Sequence, residues 1–217
     1  MELKRKPFQG VLNIIHFNWH FFLLSALVLI VLTLLKNQFS ETIQDVLIIG
    51  VIITTFTITI SLLVSFYIYD LSDLYQLKWL KNSGSNKILN INAGFDETSE
   101  IIKNKFNNAD LTICDFYNPS KHTEVSIKRA RRTYPPHPKT ISVQTDQLPF
   151  PENTFDKTLA ILSAHEIRDK QERAQFFKEL NRITKSSGQI FVTEHLRDLN
   201  NFLAYTIGFL HFHSKSS

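Results

Sequence analysis

Apolar and polar positions are divided unevenly along this chain. Val11 to Leu35 is one apolar stretch without a charged residue, densest at FFLLSALVLIVLTLL. Val46 to Tyr69 is a second uncharged stretch. About 20 such residues suffice to cross a bilayer as a helix, so the pattern predicts a transmembrane hairpin of 11–35 and 46–69, joined by an external loop, 36–45. Asn13, His16, Asn18, Trp19 and His20 form a polar and aromatic belt in the first stretch. The threonines at 54, 55, 57 and 59 in the second are tolerated, because a hydroxyl can bond back to the preceding turn.

After Tyr69 the pattern changes. Leu71, Leu74, Tyr75, Leu77 and Trp79 alternate with polar residues. This reads equally as an interfacial linker helix over 70–86 or as a first helix of the following domain. From Lys87 short β-type runs alternate with helical ones. KILNIN, LTICDF, TISVQ, FDKTLAIL and QIFVTEH read as five strands. The polar stretch from AGFDETS to about Asn107, HTEVSIKRARR and Arg168–Lys185 read as the helices between them, with Ser186, Ser187 and Gly188 stopping the last. Such alternation predicts an α/β fold: a Rossmann-like parallel sheet of five strands with helices on both faces, over 87–217.

Charge then orients the hairpin. Lys4, Arg5 and Lys6 lie in the tail 1–10, and Lys78 and Lys81 follow the second span. The loop holds Lys36 and two acids. Both basic flanks are expected in the cytoplasm, with the soluble domain there too, which predicts a multi-pass membrane protein. A cleaved signal peptide fits poorly, since the run is long, lacks a small-x-small site and is followed at once by a second span. The formal net charge of +4 suits a neighbourhood of anionic lipid. No nucleic-acid partner is expected, because Lys128, Arg129, Arg131 and Arg132 come without an aromatic stacking platform. That cluster reads as a wet helix face, or as a contact for anionic headgroups. Cys114 is the one cysteine and reads as a small buried hydrophobe. No metal-ligand cluster stands out.

Ligands of parallel sheets bind beyond the carboxyl ends of the strands. The residues there are Asn92 to Asp96, Asp115, Gln144 to Leu148, Ser163 to Glu166 and Glu194 to Asp198. Gly94 permits close backbone approach, and Asp115 ends the second strand, where an acid can accept both hydroxyls of a ribose.

Three stretches sharpen this reading. QTDQLPFPENTFDKTLAILSAHEIRD, FFKELNRITKSSGQIFVTEH and KILNINAGFDETS resemble, in order and spacing, the class I S-adenosylmethionine-dependent methyltransferases of the type 11 group. The resemblance runs from about Lys87 to His195. It implies S-adenosylmethionine as cofactor and a small or lipid-like methyl acceptor. It places Gly94 at the middle glycine of the cofactor loop and Asp115 at the ribose acid. Asn90 stands where the family usually has an acid, and Asn92 and Asp96 where it usually has glycines. Gln144 replaces an adenine-side aspartate, with Asp146 two residues on, and Leu148 would pack on the adenine. His165, Glu166, Glu194 and His195 are the candidate bases at the pocket mouth.

The resemblance also implies two further strands, whereas here the chain ends on NNFLAYTIGFLHFHSKSS, so the domain is expected to be incomplete or shortened. Asn200 to His213 is expected to be a helix packing on the membrane, the sheet or a second copy as a homo-oligomer. Loss of catalysis, leaving a membrane-tethered binding or scaffold module, is the alternative that the eroded glycine loop raises.

Overall fold

The computed structural model describes residues 5–81, 87–212 and 214. The expected tail, linker, C-terminal helix and domain end therefore lie partly outside the described residues, at 1–4, 82–86, 213 and 215–217. The chain forms two compact units. One is Arg5–Ser72 with Arg197–Leu210; the other is Asp73–Leu196 with the chain end from His211.

The first unit begins with α1 (Gln9–Phe17), α2 (Trp19–Leu35) and α3 (Glu41–Phe66), the last continuing as a π-helical turn over Tyr67–Leu71. The stretch expected as one helix over 11–35 is thus two. The break falls at Asn18, whose backbone leaves helical values (φ −114°, ψ 19°) and whose side-chain amide donates to Ile14 O. Trp19–Gln38 and Glu41–Leu71 are long and apolar enough to cross a membrane, with mean hydropathies of 2.1 and 2.5. Their leucines, isoleucines and phenylalanines are largely exposed.

Chain sections 60 residues apart are joined at the start of α1. Asp70 accepts from Gly10 N (2.7 Å) and Val11 N (2.9 Å). A carboxylate on these unpaired N–H groups stabilises the helix start. The approach requires glycine, since a Cβ on Gly10 would lie 2.3 Å from Tyr69 Cβ.

The second unit is the sheet domain. Its strands are β1 (Lys87–Asn92), β2 (Asp110–Asp115), β3 (Ile141–Ser142), β4 (Phe155–Ile161) and β5 (Thr184–Thr193). All pairs are parallel, in the order β3-β2-β1-β4-β5. The helices are α4 (Ser99–Lys105), α5 (Val125–Thr133) and α6 (Lys170–Ile183). One face of the sheet buries Leu89, Ile91 and Cys114 with Phe176, Leu180 and Ile183 of α6. The other buries Ile88, Leu159 and Ile161 with Ile102 and Phe106. This is the five-stranded Rossmann-like sheet with a core on both faces.

Two local expectations are corrected. The segment after Asp73 is not a linker helix but a run of turns whose Leu77 and Leu80 are fully buried in the second core cluster. Leu77 is held at φ +46°, with its carbonyl accepting from Lys105 Nζ (2.6 Å). Ser186, Ser187 and Gly188 do not stop α6, which already ends at Ile183; they lie inside β5 as a bulge. Thr184 faces Phe155 and Gln189 faces Lys157, so 185–188 bow out opposite a single residue.

The chain returns to the helical unit with α7 (Leu199–Tyr205), prolonged by a 3-10 turn over Thr206–His211. Asp198 caps α7 by accepting from Asn201 N (2.8 Å). The helix packs on α3, where Ser61 Oγ donates to Ala204 O and the hydroxyls of Tyr69 and Tyr205 meet. The expectation named the membrane, the sheet or a second copy; in this structure the partner is the second apolar helix.

Candidate functional site

The order of the sheet reverses between β1 and β4, which places a crevice over the tips of these strands. The first loop of that crevice leaves β1 at Asn92. The Asn92 side chain closes it, accepting from Gly94 N (3.0 Å) and donating to Cys114 O (3.0 Å). Gly94 takes φ +102°, a conformation other residues rarely adopt. Asp96 accepts from Thr98 N (3.1 Å) and Ser99 N (2.9 Å), so its carboxylate starts α4. Asn90, buried beneath, donates to the hydroxyls of Thr98 (3.0 Å) and Ser99 (2.8 Å). Its Oδ1 has no hydrogen-bond partner among the described residues.

Asp115 at the tip of β2 is fully engaged. Oδ1 accepts from Tyr117 N (2.8 Å), and Oδ2 pairs with Arg131 Nη1 (2.5 Å). Arg131 also donates to Gly94 O (3.1 Å), and its guanidinium lies 4.3 Å from the centre of the Tyr117 ring. A Cβ on Gly94 would lie 2.8 Å from Tyr117 Cδ2 and 3.1 Å from Arg131 Nη1. The space beside the glycine is therefore filled by one arginine and one tyrosine. Next door, burial and then the Asp115 charge push the Cys114 thiol up to about 12, which makes it inert.

Farther along the carboxyl edge is a cleft of about 960 Å³. It is walled by 116–122, the β3 tip at 142–146, and 166–172. Gln144, Asp146 and Glu166 line it; Gly94, Asp115 and Leu148 do not. The ring of His122 stacks on Tyr117. Glu172 accepts from Thr145 Oγ1 (2.5 Å) and Lys121 Nζ (2.7 Å). Burial alone would raise its carboxyl, but these two partners hold it below the usual range.

Leu148 belongs to the core and does not line the cleft. Its loop is clamped by α6. Glu179 accepts from Leu148 N (2.8 Å), and Arg182 donates to Leu148 O (2.9 Å) and Phe150 O (2.8 Å). Arg182 also pairs with Glu179 at 2.6 Å. The Leu-Pro-Phe stretch thus serves to fix the loop.

The four candidate bases form one cluster over the tips of β4 and β5. Glu194 accepts from Ser163 N (3.0 Å), Ala164 N (2.6 Å) and, at Oε2, from His165 Nδ1 (2.5 Å). His165 Nε2 lies 3.4 Å from Glu166 Oε1. Burial would lower the imidazole pKa, but the two carboxylates outweigh it and raise it to about 9. The two carboxylates thus favour the charged form of the His165 imidazole. His195 is buried beside it, with Phe212 against both rings.

Sequence reasoning missed Arg131, Tyr117, Glu179 and Arg182. Arg131 sat in a basic run that read as solvated, and its length of reach carries no periodic signal. Lys128 and Arg132 of that run are exposed, whereas Arg131 turns inward.

As these side chains stand, they do not fit S-adenosylmethionine. Its ribose would need the Asp115 oxygens, which Tyr117 and Arg131 hold, and the space beside Gly94, which they fill.

Residues 89–192 match the profile of a methyltransferase domain, type 11. No curated protein matches the sequence. Among solved structures, a SAM dependent methyltransferase from Aquifex aeolicus is 13 % identical, with a TM-score of 0.39 over 52 % of this chain and 58 % of that one. The YcgJ protein from Bacillus subtilis is 18 % identical, with a TM-score of 0.42 over 65 % of this chain and 61 % of that one. This chain spans 58 %, 51 % and 46 % of the first three solved structures it matches.

Proposed function

We propose that the sheet domain of this chain is a class I methyltransferase domain and that the protein is a membrane-anchored S-adenosylmethionine-dependent methyltransferase for a small or lipid-like acceptor. One observation carries the anchoring. Both chain ends of the sheet domain lead into one helical unit, 5–72 with 197–210, that contains two long apolar helices with exposed surfaces. A domain linked in this way to a bilayer meets acceptors that partition there. The cluster of His165, Glu166 and Glu194 supports the same reading. It holds a proton on a buried imidazole at the strand tips, where an acceptor's charge can be balanced.

A second reading is a methyltransferase-like domain without catalysis that serves as a membrane-tethered binding module. The Arg131–Asp115 pair favours it, because it takes the acid that a ribose would use.

The test uses the full chain in vesicles. Resistance to alkaline carbonate extraction reports anchoring. Transfer of a labelled methyl group from S-adenosylmethionine is then followed into the lipid and aqueous fractions of a cell extract, with Asp115→Ala as control. Label in a product made by wild type and not by the variant supports the enzyme. Retention in the membrane without transfer supports the binding module.

A further inference from the structure

We infer that Arg131 is an internal competitor for the nucleoside of the cofactor, so that the site alternates between an arginine-latched form, seen here, and an open one. The inference rests on the methyltransferase reading of the sheet domain.

Three contacts of one side chain carry it. Arg131 Nη1 pairs with Asp115 Oδ2 at 2.5 Å and donates to Gly94 O at 3.1 Å, and the guanidinium carbon lies 4.3 Å from the centre of the Tyr117 ring. These groups belong to the loops after β1 and β2. One donor of this planar cation, Nη1, takes an acid oxygen that a ribose hydroxyl would use and bridges it to the Gly94 carbonyl. The ring beneath it supplies the stacking surface. The latch therefore occupies Asp115 Oδ2 and the face of Tyr117, and a nucleoside on those groups would have to displace it.

The same contacts show how the site opens. Asp115 is nearly enclosed, with 8 % of its side chain exposed, but Arg131 keeps 24 %. It reaches in from the last turn of α5 on a long flexible stem. Rotation of that stem returns the head to water, beside the exposed Lys128 and Arg132. No backbone change in β1 or β2 is required. The apparent affinity for the nucleoside is then the intrinsic one reduced by the fraction of molecules that are open. A site latched nine-tenths of the time binds roughly tenfold more weakly than its open form.

The experiment is equilibrium binding of labelled S-adenosylmethionine to the full chain in nanodiscs. Wild type is compared with Arg131→Ala, Arg131→Gln, and Arg131→Ala combined with Asp115→Ala. Thermal unfolding checks that each variant folds, and Arg131→Gln keeps the length of the side chain should the alanine variant not fold. Both single variants are expected to bind at least roughly tenfold tighter than wild type, and the double variant to lose the gain. Measurable binding that is equal to or weaker than wild type in the single variants overturns the latch and leaves the methyltransferase reading standing. No binding in any variant overturns both.

Discussion

His165 Nδ1 lies 2.5 Å from Glu194 Oε2, and this contact ties the tip of β4 to the tip of β5. The same carboxylate receives the backbone N–H groups of Ser163 and Ala164. A buried imidazole thus sits where two parallel strands end, with Glu166 on its other nitrogen.

Stability should follow this proton. The folded pKa of His165 is raised from 6.5 to about 9. A raised histidine pKa stabilises the fold fully below the unfolded value and loses that contribution as pH rises through the folded value. Wild-type resistance to urea is expected to fall between pH 6.5 and about 9. In His165→Gln the urea midpoint should be lower at pH 6 and much flatter across that range. An unchanged slope in the variant would assign the pH dependence to another group.

The clamp on the Leu148 loop offers a stability test away from the Gly94 loop. Removing Arg182 leaves Glu179 without its ion pair and Phe150 O without its donor, while Leu148 O keeps only the Phe150 N–H. Arg182→Ala is expected to destabilise the chain by about 2–3 kcal/mol, the usual cost of stranding such groups. Thermal unfolding of the full chain in micelles measures it. A loss below about 0.5 kcal/mol, typical of a surface site, would show that the clamp adds nothing.

The start of α1 gives a third test. Asp70→Ala removes the acceptor of Gly10 N and Val11 N, so the first turn should fray. A loss of about 1–2 kcal/mol is expected, as for other capping residues. Amide hydrogen exchange over residues 10–14 should rise while exchange in α2 stays unchanged. Equal protection in the variant would mean that the helix start does not depend on the carboxylate.

These sites differ in how far the sequence announces them. The strands β1, β2 and β4 are legible because KILNIN, LTICD and FDKTLAI are short apolar runs bounded by polar segments, and their tips place Gly94 and Asp115 directly. The turn at 184–188 is misread because two serines and a glycine look like a helix stop, whereas they form a bulge within a continuous strand. The break at Asn18 has no proline or glycine to mark it; a side chain bonding back to Ile14 O makes it. What most changes the picture of the site is Arg131. Periodicity locates its Cα on α5, but the destination of a long charged head depends on which acid the fold brings within reach. The same holds for α7. Its composition demands cover, and only the folded chain selects α3 as the surface that gives it.

The last prediction concerns that choice. The apolar content of Asn200–Leu210 is compatible with pairing to a second copy, so the question is whether α7 meets α3 of its own chain. Ser61 Oγ donates to Ala204 O, and the Tyr69 and Tyr205 hydroxyls meet on the same seam, which sets the facing positions. Cysteines placed by Ser61→Cys and Ala204→Cys should be bridged within one chain by mild oxidation or a short bifunctional reagent. The background is clean, because the natural Cys114 is buried and its thiol is pushed up to about 12. It holds almost no thiolate at pH 8, and the thiolate is the reacting form. A bridged monomer of altered gel mobility is the expected product. Mixing chains that carry only one cysteine each separates the alternatives. If those mixtures give covalent dimers at the yield of the doubly substituted monomer, α7 is exchanged between copies and the intramolecular seam is wrong.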